Sequence, residues 1–80
     1  MVLKNEVEKV PWNIKLLIAR TLLGLSQVQA AEKIGTTQKV VWQWETGKNI
    51  PRETSRKAIA RAYGVNYSEL FEGLIPKKIK

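Results

Sequence analysis

A short run near the middle of the chain places hydrogen-bonding side chains along one side of a helix. Residues 38–46 have the sequence QKVVWQWET. At 100° per residue, the apolar Val40, Val41 and Trp44 share one face. Nearly opposite lie Gln38, Lys39, Trp42, Gln43 and Thr46. The apolar face predicts burial, and the polar face can pair with donors and acceptors on another molecule.

Composition excludes most other chemistry. The 80 residues include no histidine, no cysteine and no aspartate, so the commonest general base, thiolate ligands and disulfides are all missing. We therefore expect no catalytic residue, no metal site, no cofactor and no small-molecule ligand, and an enzyme is a poor interpretation. Fourteen lysines and arginines against seven glutamates give a net charge of +7, which favours a polyanionic partner.

Helix start and stop signals predict an all-α fold. Glycines at 24, 35, 47, 64 and 73 each follow a helix-compatible stretch, and Ser26 with Gln29 has the capping-box spacing. The predicted helices are Pro11–Leu23, 27–34 after the cap at Ser26, 38–46 after the cap at Thr37, a fourth from Pro51 to before Gly64, and Tyr67 to about Glu72. Around them we expect an N-terminal extension (1–10), one domain (11–73) and a basic tail (74–80).

The second and third helices resemble a known motif. Residues 24–47, GLSQVQAAEKIGTTQKVVWQWETG, resemble the helix-turn-helix of the Cro and repressor family, also called the Xre family. The motif requires a small residue in the middle of the chain's second helix (Ala31), a glycine at the turn (Gly35) and buried apolar positions (Ile34, Val41, Trp44). The resemblance extends from about Trp12 to Gly73 and implies a compact five-helix, lambda-repressor-like DNA-binding domain.

That resemblance, with the shape of the major groove, assigns roles to individual residues. The first turn of an inserted helix lies closest to the base edges, where glutamine suits adenine and lysine suits guanine. The expected base contacts are Gln38, Lys39, Trp42 and Gln43. The expected phosphate contacts are Gln27, Thr37, Lys48, Asn49 and Arg52. For Trp42, contact with a thymine methyl, stacking at a protein interface and folding over its neighbours all remain open.

Two features concern structure. The resemblance implies a partly buried ion pair between Arg20 and Glu45. The fourth helix departs from the family by carrying Glu53, Arg56 and Lys57 where leucines are common, which leaves Ile59, Ala62 and Tyr63 to form its buried face.

The first helix has more apolar surface than one buried face needs. Its apolar residues are Ile14, Leu16, Leu17, Ile18, Leu22 and Leu23. The N-terminal residues Val2, Leu3, Val7 and Val10, the Leu74-Ile75 segment, or a second subunit could each cover this surface.

The sequence thus predicts a sequence-specific, double-stranded DNA-binding transcriptional regulator. We expect a repressor that acts as a homodimer on a two-fold symmetric operator. The segment from Tyr67 to Ile75, with Phe71, Leu74 and Ile75, is the first candidate for the dimer contact, and the first helix is the second. The alternative is a protein-binding adaptor of the same fold, such as an antitoxin or a coactivator-like bridging factor. A membrane-surface role ranks last because the basic residues are scattered, and with no signal peptide evident we expect a cytoplasmic protein.

Overall fold

The computed structural model describes residues 10–71, which fold into helices without strands. The helices are α1 (Trp12–Leu22), α2 (Gln27–Ile34), α3 (Gln38–Glu45), α4 (Glu53–Tyr63) and α5 (Tyr67–Phe71). All five predicted helices are confirmed. Their ends differ from the prediction by a residue or two, and the largest difference is at α4. The predicted extension and tail, except Val10, lie outside the described residues.

The small shifts at helix ends have local causes. Pro11 is extended, with φ −62° and ψ 155°, so it precedes α1 and does not occupy its first turn. Thr46 is still near-helical but serves as the C-cap of α3. Pro51 is buried and precedes the extended cap residue Arg52, so α4 begins at Glu53. The proline therefore lies in the segment that leads into α4 and is not part of the first turn of that helix.

The connection between α2 and α3 is a tight turn. Gly35 adopts a left-handed conformation, with φ 98°, that side chains other than glycine's rarely allow. The backbone amides of Gly35 and Thr36 both donate to the carbonyl of Ala31, at 2.8 and 2.9 Å. These bonds end α2 and turn the chain at once into α3, whose cap Thr37 accepts a bond from the amide of Val40. Local hydrogen bonding thus fixes the crossing of the two helices.

One apolar core joins all five helices. Its buried members are Leu16, Ala30, Ala31, Val41, Trp44, Ile59, Tyr63, Leu70 and Phe71. α3 packs on both α2 and α1, α4 packs on α2, and α5 closes the domain by packing on α4 and α1. Ala30 and Ala31 are small enough for the backbones of neighbouring helices to approach α2 closely. This packing holds one face of α3 inside and leaves the other outside.

The departures in α4 prove compatible with its packing. Ile59 and Tyr63 are buried as predicted, while Ala62 is half-buried. Arg56 turns inward, where its Nε donates to the Tyr67 hydroxyl at 2.6 Å and its Nη1 donates to the Pro51 carbonyl at 2.7 Å. The arginine therefore fastens α4 to α5 and to the preceding loop, a role that no local sequence pattern indicates.

Part of the apolar surface on α1 is exposed, as the sequence predicts. Leu16 is buried, whereas Ile18, Leu22 and the C-cap residue Leu23 are exposed, with Leu22 at 82% of its full area. The expected intramolecular covers, apart from Val10, lie outside the described residues. Phe71 is fully buried in the chain's own core. It is therefore not available for the dimer contact expected of the C-terminal segment.

Candidate nucleic-acid interface

The start of α2 is fixed by reciprocal side-chain bonds. The Ser26 hydroxyl accepts from the amide of Gln29 at 3.0 Å, and the Gln29 side-chain oxygen accepts from the amide of Ser26 at 2.8 Å. This confirms the predicted capping box. Because it fixes the first turn of α2, it also places Gln27, which begins that helix, beside α3.

α3 presents the predicted polar face. Gln38, Lys39 and Trp42 are exposed, whereas Val41 and Trp44 are buried beneath them. The Thr46 hydroxyl, also on this side, donates back to the carbonyl of Trp42 at 2.8 Å and so closes the end of the helix. The exposed side chains therefore stand on a helix whose opposite face is held by the core.

Gln27 and Gln38 are brought together. Nε2 of Gln38 donates to Oε1 of Gln27 at 2.6 Å, although the two residues belong to different helices and were expected to contact different parts of a DNA duplex. Among residues 10–71, no protein group donates a hydrogen bond to the side-chain oxygen of Gln38. The sequence gives no sign of this contact, because it depends on the angle at which α2 and α3 cross.

A second contact joins the far end of α3 to the following loop. Nδ2 of Asn49 donates to Oε1 of Gln43 at 3.0 Å, and Nζ of Lys48 lies 5.7 Å from the centre of the Trp42 ring. The lysine is thus placed for a cation–π interaction, which holds the indole beside the loop. The indole therefore lies against Lys48, and with its ring still exposed, contact with a thymine methyl or with another protein stays a prediction.

The predicted ion pair is present and largely enclosed. Nε of Arg20 donates to Oε2 of Glu45 at 2.6 Å, and Nη2 donates to Oε1 at 3.0 Å, so the pair is bidentate. The Arg20 and Glu45 side chains retain 13% and 4% of their exposed area. Hydrogen bonding to Glu45 raises the pKa of Arg20 above its ordinary value, against the opposing effect of burial. The remaining Nη1 group donates to the carbonyl of Leu25 at 2.8 Å.

Glu45 also receives bonds that were not predicted. Nε2 of Gln27 donates to its Oε1 at 3.0 Å, and Nδ2 of Asn13 donates to its backbone carbonyl at 2.9 Å. Asn13 is the one amide side chain in α1 and lies between the apolar residues Trp12 and Ile14, which is the sequence signal that could have identified it. The carboxylate therefore joins α1, α2 and α3 at one point.

The other expected phosphate contacts precede or follow α3 in the chain. Thr37, Lys48, Asn49 and Arg52 are exposed, at the start of α3, in the loop after it and before α4. The part of the chain that the structure describes contains no cluster of three or more potential metal ligands. Nor does any of its helices have the length and hydropathy to span a membrane.

Comparison with known proteins assigns the family. Residues 16–70 match the helix-turn-helix family, so the chain belongs to this family, of the Cro and repressor (Xre) type predicted from the sequence. The family match and the relative described next support DNA-binding regulation of transcription. One relative is the HTH-type transcriptional activator BcrR of Enterococcus faecalis, 36% identical over 62 residues. The match covers 78% of this chain but only 30% of the relative, so the chain corresponds to less than a third of that protein.

Proposed function

We propose that this chain binds double-stranded DNA sequence-specifically by inserting α3 into the major groove, and that it regulates transcription in doing so. The observation that carries the proposal is the exposed first turn of α3, with Gln38 and Lys39, on a helix whose opposite face is buried against α1 and α2. An α-helix fits the major groove, and its first turn lies nearest the base edges.

The proposed base contacts follow from donor and acceptor chemistry. Gln38 would pair with the N6 and N7 edge of adenine, and Lys39 would donate to O6 and N7 of guanine. Gln43, one turn further on, would contact a neighbouring base. Trp42 would contact a thymine methyl at the edge of its ring, beside Lys48.

The proposed phosphate contacts lie on both sides of α3. Gln27 and Thr37 stand at the starts of α2 and α3, where backbone amides favour phosphate. Lys48, Asn49 and Arg52 would hold the strand beyond the end of α3. The exposure of Lys48 and Arg52 supports these roles. The proposed DNA-binding domain extends over residues 11–73.

The experiment is selection of binding sites from a pool of random duplex DNA. We expect the full chain to enrich a defined motif and the Gln38→Ala, Lys39→Ala double variant to lose or relax it. Lys33→Ala is the matched control, because it removes the same charge from an exposed position at the end of α2. No enrichment from the folded protein, or an identical motif from the double variant, would refute the proposal.

Dimer formation and the sign of regulation belong to the same proposal. We infer a homodimer on a palindromic site, with repression by blocking a promoter. The relative's name describes an activator, so two reporters are needed, one with the selected site overlapping a promoter and one with the site upstream of it. Repression of the first reporter supports our inference. Stimulation of the second would show that the chain activates transcription. The cytoplasmic location expected from the sequence stays a prediction.

The exposed apolar residues of α1 favour one second candidate, a protein-binding adaptor. Ile18, Leu22 and Leu23 form an apolar surface that DNA recognition by α3 does not use. An adaptor would keep its partner after Gln38→Ala and lose it after Leu22→Glu. DNA recognition by α3 predicts instead that Gln38→Ala abolishes binding to a selected site, whatever the effect of Leu22→Glu on dimer formation.

A further inference from the structure

A continuous row of side-chain hydrogen bonds leads from the interior to the exposed start of α3. It begins at Arg20, passes through Glu45 and Gln27, and ends at Gln38; we call these four residues the Gln38 network. Its links are the bidentate Arg20–Glu45 pair, the 3.0 Å bond from Gln27 Nε2 to Glu45 Oε1, and the 2.6 Å bond from Gln38 Nε2 to Gln27 Oε1.

The buried end of the Gln38 network determines the orientation of every amide beyond it. An ionised carboxylate can only accept hydrogen bonds. Glu45 therefore requires Gln27 to turn its Nε2 inward, which directs Oε1 of Gln27 at α3. That oxygen in turn requires a donor, so Gln38 must approach it with Nε2. Reversing either amide would set oxygen against oxygen or nitrogen against nitrogen at hydrogen-bonding distance.

This orientation leaves Gln38 with a defined outward pattern. One N–H of its Nε2 group is used by Gln27, while the second N–H and the carbonyl oxygen remain for a ligand. Adenine offers the complementary pair in the major groove, a donor at N6 and an acceptor at N7. Guanine offers acceptors at both O6 and N7, so its O6 would oppose the Gln38 oxygen.

We propose that Glu45, held by Arg20, is a positioning residue for specificity: through Gln27 it fixes the amide of Gln38 in the orientation that selects adenine over guanine. The inference rests on the proposed function and deepens it. Removing a purely structural ion pair would weaken binding to all DNA sequences equally. Removing a positioning pair would also change the base preference at the position that Gln38 contacts.

Gln43 provides an internal comparison. Its oxygen accepts from Asn49, but that bond lies between a half-buried and an exposed side chain and has no link to the ion pair. Its orientation is therefore independent of Glu45. Changes at the Gln38 network should leave the amide of Gln43, and the base that Gln43 contacts, unaffected.

The first test uses the full chain without DNA. Side-chain amide signals of Gln38 and Gln43 are assigned by NMR in the wild type and in two variants. Arg20→Met, Glu45→Leu replaces both charges by apolar groups, an exchange that buried ion pairs often tolerate. Gln27→Met removes the middle link and leaves the ion pair in place, so it serves if the first variant does not fold.

We expect both variants to shift the Gln38 Nε2 signals and to speed the hydrogen exchange of that group, with Gln43 unchanged. Unchanged Gln38 signals in a folded variant would overturn the inference. Because no DNA is present, this result is independent of whether the chain recognises DNA. A failure of site selection would therefore refute the proposed function without being confused with a failure of positioning.

The second test measures preference at one base pair of the selected site. The base pair contacted by Gln38 is identified as the one at which the Gln38→Ala variant no longer prefers one base over another. At that base pair, we expect both variants to reduce the ratio of adenine to guanine affinity by roughly 5- to 150-fold, which is the discrimination of one good bidentate contact. In the Gln38→Ala background the same changes should leave the ratio unaltered. An unchanged ratio in the otherwise wild-type background, with weaker binding to both sites, would show a structural role alone.

Discussion

Glu45 combines a charge with almost complete burial, and its neighbours determine what its removal costs. Within the described residues it is the buried charged residue, with the residue as a whole 6% exposed. Glu45→Ala would leave the Arg20 guanidinium without its counter-charge in a site largely closed to water. We expect a loss of about 3–5 kcal/mol in the free energy of unfolding, measured by urea denaturation. Arg20→Met, Glu45→Leu should recover most of it. A loss below about 1 kcal/mol would mean that the pair behaves as an exposed one.

Tyr63 connects the same carboxylate to the pH dependence of stability. Burial raises the pKa of Tyr63 to about 12, and the charge of Glu45 adds to the rise. In the unfolded chain the phenol loses its proton near its ordinary value of 10.0. Between pH 10 and 12 the unfolded state therefore binds fewer protons than the folded state, and the free energy of unfolding must fall as pH rises.

The check on Tyr63 is thermal unfolding as a function of pH. Lysines lose their charge in the same interval, so the wild type is compared with Tyr63→Phe, which keeps the buried ring and removes the titrating hydroxyl. We expect the melting temperature to fall less steeply with pH in the variant. Parallel curves for the two proteins would contradict the raised pKa.

At the scale of the helix, stability depends on caps that the sequence displays directly. Ser26→Ala removes the acceptor for the amide of Gln29 and opens the capping box of α2. We expect the free energy of unfolding to drop by about 1 kcal/mol. Ser68→Ala is the matched control, since Ser68 is exposed within α5 and forms no side-chain hydrogen bond among residues 10–71. Equal effects of the two substitutions, measured by denaturant unfolding, would argue against the capping role.

Local signals explain why the helices could be predicted and the contacts between them could not. Caps and turn glycines such as Ser26 and Gly35 act within a few residues, so their spacing predicts helix ends. The bond from Arg56 to Tyr67 and the bond between Gln27 and Gln38 depend on how two helices cross. The Arg20–Glu45 pair was predicted only through resemblance to a family, because nothing in the residues between them indicates the contact.

At the scale of the whole molecule, a net charge of +7 predicts DNA binding that weakens steeply with salt. If about four phosphates are neutralised per chain, a plot of log affinity against log salt should have a slope near −3.6. Lys48→Ala should reduce the magnitude by roughly 0.9, because it removes one phosphate contact. Fluorescence anisotropy with a selected duplex measures both slopes. Lys33→Ala should leave the slope unchanged, and an equal change in both variants would indicate only diffuse charge attraction.

The Gln38 network also carries an evolutionary consequence. Its four members contact one another in series, so under the proposal above the effects of replacements within it on DNA preference will not add. Lys39, by contrast, forms no side-chain hydrogen bond within the described part of the chain, and its exposed side chain is free to change alone. Lineages that acquire new DNA targets should therefore diverge first at position 39, while positions 20, 27, 38 and 45 are inherited together or replaced together.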